Sequence, residues 1–145
     1  MKKILSVLLL AAAAVVCAVS CKDPVEPTPD FTEEIVGEWQ LKSIATKTTN
    51  LGGQTVDVYI AFEKGGSFTL YQMLGQGRYH SYTGKWALAD GTLSGTYSSG
   101  KAWGSTYSVD ISGSTMTLTS DIGGEVDTYT RSAIPDNIKK EAYAQ

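Results

Sequence analysis

The chain has little of what catalysis, metal binding or cross-linking requires. Its 145 residues include one histidine, His80, and two cysteines, Cys17 and Cys21. A nucleophilic triad needs a serine, His80 and an acid to converge. No Gly-x-Ser-x-Gly sequence sets a serine on a strained turn. One histidine and scattered carboxylates make a poor metal set. The glycine-rich turns lack the Gly-Lys-Ser/Thr ending of a phosphate loop, and they do not open a helix. Asp57, Glu63, Asp110 and Asp127 fall on the polar face or near strand ends. That placement reads as solvated charge, not as a catalytic carboxylate pair. No cofactor, metal or enzymatic activity is expected. Positive charge is short too, with Lys+Arg 12 against Asp+Glu 15. Nucleic acid calls for a basic footprint and is excluded as a partner. No apolar run reaches the ~20 residues that span a bilayer as a helix.

What is present begins with an address. Lys2 and Lys3 precede an apolar run, Ile4 to Val16, of 13 residues. A positive end followed by a run of that length is an export signal. Behind it comes Ala18-Val19-Ser20-Cys21. This segment resembles the lipobox of bacterial lipoproteins, in which the cysteine becomes the lipid-bearing first residue. Ser20 fits that pattern; Ala18 stands where leucine is usual. The resemblance implies a signal peptide over 1–20, lipidation at Cys21 and membrane attachment through the acyl chains. Cleavage removes Cys17, so Cys21 is the single mature cysteine and no internal disulfide forms. Removing Lys2 and Lys3 leaves 10 basic residues against 15 acidic, a net charge of about −5. That surface offers no basic patch for anionic lipid.

Residues 21–34 read as a tether. Three of the four prolines, Pro24, Pro27 and Pro29, fall in it. Proline-rich chain extends ~3 Å per residue, enough to hold a domain ~30 Å from a bilayer. Asp23 and Glu26 faintly resemble the surface-export signals of Bacteroidetes lipoproteins.

From Gly37 the apolar period is two. Val56, Val58, Ile60 and Phe62 share one face, and so do Tyr107, Val109 and Ile111. Such alternation marks half-buried strands. Glycine-bearing turns, among them Gly65-Gly66, Asp90-Gly91, Ser99-Gly100 and Gly123-Gly124, separate these runs. Eight strands follow, near 37–48, 54–63, 67–74, 78–89, 92–98, 103–111, 115–121 and 125–131. Short hairpins in series give an all-β, eight-stranded antiparallel up-and-down barrel, closed so that no edge is exposed. A two-sheet sandwich would need a long crossover that no connection provides. Ile134 to Ala144 reads as a short C-terminal helix, with Pro135 and Asp136 at its start. The folded domain is expected over 35–145.

Gly37-Glu38-Trp39 opens the first strand, and Arg131 ends the last. The arrangement resembles lipocalins, whose Gly-x-Trp motif lies at the closed end of the barrel under a basic side chain from the last strand. It implies that Arg131 lies across Trp39 and closes the barrel. A second Gly-x-Trp, Gly84-Lys85-Trp86, shows how readily the tripeptide arises. The short length, the lack of a disulfide and the lipoprotein signal are more similar to lipocalin-like lipoproteins of the Bacteroidetes type. This family resemblance implies binding of a small, largely apolar ligand in the barrel interior. The place expected is the outer membrane, facing the periplasm or the surface. The candidate pocket is Phe62, Phe68, Tyr82, Trp86, Tyr97, Trp103 and Tyr107. These aromatics either fill the barrel or line a ligand cavity. Gly84 and Gly95 leave room near Tyr82 and Trp86. The alternative is a filled barrel acting as an interaction module in an envelope protein complex.

Overall fold

A computed structural model describes residues 29–45 and 55–145. The signal segment, Cys21 and most of the tether lie outside the described residues. The strands are β1 (Gly37–Ala45), β2 (Val56–Phe62), β3 (Ser67–Leu74), β4 (His80–Ala89), β5 (Thr92–Tyr97), β6 (Tyr107–Ser112), β7 (Thr115–Ser120) and β8 (Val126–Arg131). A short helix, α1 (Asp136–Glu141), and a two-residue strand, β9 (Tyr143–Ala144), follow. The sheet order is β3-β2-β1-β8-β7-β6-β5-β4, and β3 also pairs with β4. The eight strands therefore close into an antiparallel barrel, as their alternation predicts.

Alternation places the core. Trp39, Ile60, Phe62, Phe68, Trp86, Leu93, Val109, Met116, Leu118 and Tyr129 are buried in one cluster. The hairpin at Asp90-Gly91 shows why its residues suit it: both have positive φ, 51° and 74°, the two-residue turn that matches strand twist. Between Leu41 and Ser43 the β1–β8 register shifts by a bulge.

The structure departs from the sequence reading in three places. β6 begins at Tyr107, not near 103. Residues 98–103 instead fold back on β5: Tyr97 N–H donates to the Lys101 carbonyl at 2.8 Å, and Trp103 N–H to the Gly95 carbonyl at 2.9 Å. β5 and β6 consequently share only the pairs Thr92↔Ser108 and Leu93↔Tyr107. Secondly, β5 reaches only Gly84 on β4, which leaves the start of β4 without an antiparallel neighbour on that side. β9 covers that edge in parallel, with His80↔Tyr143 and Ser81↔Ala144. Thirdly, β2 is buried on both faces around Val58, Tyr59 and Ile60. Its outer face lies under the C-terminal segment, where Ile134 and Ile138 pack with Tyr59. Glu38 fastens that segment. Its carboxylate accepts from Lys139 Nζ at 2.7 Å and from the Ile134 N–H at 2.7 Å.

Candidate ligand site at the barrel mouth

One end of the barrel is shut. A turn at residues 32–35, held by Ile35 N–H to the Phe31 carbonyl at 2.8 Å, lays Ile35 over the core. Trp39 Nε1 donates to the Ile35 carbonyl at 2.8 Å. Across the Trp39 ring lies Arg131, its Cζ 4.1 Å from the ring centroid. The guanidinium also donates to the carbonyls of Val36, at 2.9 Å, and Glu34. Gly37 is required twice over. Its φ is +132°, and a Cβ there would lie 2.5 Å from Arg131 Nη1. The first residue of the Gly-x-Trp motif thus makes room for the cation that covers the third.

Further along, the barrel is hollow but small. A cavity of about 120 Å³ is lined by Ile60, Phe62, Phe68, Leu70, Tyr97, Trp103, Gly104, Tyr107, Leu118, Asp127 and Tyr129. Trp103 is the reason it is no larger. A Cβ built on Gly95 would lie 2.2 Å from the Trp103 ring, so the indole fills the space that glycine leaves. The ring meets Phe68 and Tyr107 edge-on, with centroids 5.0 and 6.2 Å away. Room expected at Gly84 is likewise taken, because a Cβ there would meet the Thr96 carbonyl at 2.1 Å.

At the open end lies a second hollow of about 440 Å³. Its walls are Leu70, Gln72, Tyr82 and Thr83 of β3 and β4, Tyr97 at the end of β5, Ser98, Ser99 and Lys101 beyond it, and Gln145. Leu70 and Tyr97 line both hollows. These two side chains stand between the mouth and the apolar interior. Gln145 reaches the site because β9 extends the sheet there; its N–H donates to the Ser81 carbonyl at 3.0 Å.

Of the residues expected to form a pocket, Phe62, Phe68, Tyr97, Trp103 and Tyr107 line the inner hollow. Tyr82 lines the mouth, 6.0 Å from the Tyr97 ring. Trp86 lines neither; it packs edge-on against Phe62 at 5.5 Å, toward the closed end. His80 is exposed, with Nδ1 3.0 Å from Gln145 Nε2.

Asp127, near the start of β8 as expected, is half-buried and not a freely solvated charge. It pairs with Leu118, whose side chain is buried, and it shares parity with Tyr129 and Arg131 on β8. Its side chain lines the inner hollow. Burial first, and then the Glu125 carboxylate, push its carboxyl above the ordinary value. Burial likewise raises the hydroxyls of Tyr107 and Tyr129, with the Asp127 charge the next cause for both. The three groups thus feel one another inside the barrel.

Comparison with known proteins bears on this arrangement. Residues 35–118 match the model of the lipocalin-like domain. The chain belongs to the lipocalin-like domain family. Among solved structures it is similar to Echinococcus granulosus fatty-acid-binding protein 1, at 12% identity and a TM-score of 0.41, over 70% of this chain and 99% of that one. Two mutants of the fluorescent protein UnaG match at 18% and 19% identity, each with a TM-score of 0.40, over 69% and 70% of this chain and 97% and 99% of theirs. No curated protein matches it. A lipocalin-like barrel is typically a non-enzymatic fold suited to small hydrophobic ligands, which agrees with an aromatic interior that opens at one end.

Proposed function

We propose that this lipocalin-like protein binds a small, largely apolar ligand at the barrel mouth, one end of which reaches the inner hollow. The observation that carries this reading is the wall of Leu70 and Tyr97 shared by the two hollows. The inner hollow alone, at about 120 Å³, is below the ~300 Å³ at which ligand sites begin. An interior-only site is therefore replaced by one centred on the mouth, whose 440 Å³ falls within that range. Apolar burial would supply affinity, and Gln72, Tyr82, Lys101 and Gln145 would set orientation. The sequence of residues 1–21 supports attachment of the mature chain to the outer membrane through lipidated Cys21, at the end of the proline-rich tether.

The alternative, a filled barrel acting through its surface, draws support from the same small inner volume. It also draws on Leu74, Ile122 and Tyr143, apolar side chains that are 58%, 68% and 49% exposed. Titration with 1-hexanol, followed by the NMR signal of the Trp103 indole N–H, separates the two. A ligand-binding barrel gives a saturable shift with an affinity of about millimolar or tighter. An unmoved Trp103 signal favours the filled barrel.

A further inference from the structure

We propose that the ligand carries an ammonium group, which is received inside the barrel by Asp127 and the tyrosines around it. This rests on the reading of the mouth as a ligand site and narrows the ligand's class. The inner hollow holds a single charged side chain, Asp127, and no lysine or arginine among the described residues that line it. Tyr97, Tyr107, Tyr129 and Trp103 line the same hollow, and the Asp127 charge acts on Tyr107 and Tyr129. A carboxylate set among aromatic rings attracts a cation twice, through its own charge and through the ring faces. A fatty-acid carboxylate at the same place would meet a like charge in a poorly solvated space.

The polar atoms are also free to receive donors. Among the described residues, no side-chain hydrogen bond engages the Asp127 carboxylate or the hydroxyls of Tyr97, Tyr107 and Tyr129. No side-chain polar atom sealed from solvent lacks a partner among the described residues, so these groups border the hollow and are not entombed. Oxygens in an apolar chamber favour a ligand that brings N–H groups. A primary ammonium brings three of them. The charged groups near the chamber fit the same ligand. Glu125, just before β8, adds negative charge near Asp127, while Lys101 stands at the mouth, where a ligand's other end would emerge. The small volume restricts the inserted part to a few heavy atoms.

Three probes with one chain and different heads test the assignment: hexylammonium, 1-hexanol and hexanoate. Calorimetric titration of the wild-type protein at neutral pH should show hexylammonium binding at least tenfold tighter than 1-hexanol, with hexanoate weakest. In Asp127→Asn, hexylammonium should fall to the level of 1-hexanol, while 1-hexanol itself changes less than threefold. If 1-hexanol or hexanoate binds the wild type as tightly as hexylammonium, the ammonium assignment is overturned and the ligand site stands. If none of the three binds, the ligand site is lost as well. The wild-type head-group series decides the matter even where the variant folds poorly.

Discussion

The Trp103 indole occupies the inner face of Gly95, where an added methyl would lie 2.2 Å from the ring. Gly95→Ala must therefore expel the indole or distort β5, at about 2 kcal/mol or more by urea denaturation. In a Trp103→Ala background most of that cost should disappear, because the obstructing ring is gone. Simple additivity of the two changes would mean that the indole does not fill this space in solution.

The closed end offers a second pair. Arg131→Ala removes a cation from the Trp39 face and two hydrogen bonds to backbone carbonyls. A double-mutant cycle of Trp39→Ala and Arg131→Ala should give a coupling of about 0.5–2 kcal/mol. Gly37→Ala should also weaken this end, since it meets both an unfavourable φ and the guanidinium. Zero coupling in the cycle would show the ring and the cation apart.

Acid should loosen the C-terminal segment. Partial burial alone would raise the Glu38 carboxyl, but hydrogen bonds from Lys139 and the Ile134 N–H, with the Lys139 charge, outweigh it and hold it below 4.5. A carboxyl lowered in the folded state adds stability above its unfolded value, and the gain is lost as pH falls through the folded one. Wild type should exceed Glu38→Gln in thermal stability at pH 7, and the two should converge as pH drops below 4.5. A gap that stays constant with pH would contradict the ion pair.

Asp127 acts in the opposite sense. Its carboxyl is raised by burial and by Glu125, so the ionised form costs the folded state stability above the folded value. That penalty is relieved as pH falls toward 3.8, the ordinary aspartate value. At pH 7, Asp127→Asn should melt higher than wild type by on the order of a degree or two when no ligand is bound. A lower melting point would show that the carboxylate already has a stabilising partner.

Anchoring is testable through one sulfur. Cys21→Ser, expressed from the full chain in a diderm bacterium, should move the protein from the membrane fraction to the soluble envelope fraction. Two or more acyl chains hold firmly, so wild type should stay with the membrane through a wash. Equal retention of both forms would remove lipidation from the account.

Most of the barrel was legible because its cause is local. Alternation in β2, β6 and β7 and glycine at the hairpins dictate strands and turns one at a time. What escaped depends on distant partners. Residues 98–103 read as a turn leading into a strand, yet they bond back to β5 because Gly95 leaves a bare inner face for Trp103. β9 is two residues long, too short for any period to show, and exists because the start of β4 has an uncovered edge. Asp127 had the right parity, shared with Tyr129 and Arg131, but its residue type argued for solvent. An acid at an inward position was itself the signal.

Native mass spectrometry of the protein, purified gently from its native source, bears most directly on ligand binding at the mouth. The expected spectrum contains the folded chain with a small noncovalent adduct that denaturation removes, or that hexylammonium or 1-hexanol replaces. A spectrum of the bare chain alone, unchanged when either probe is added, would contradict a ligand site and leave a filled barrel.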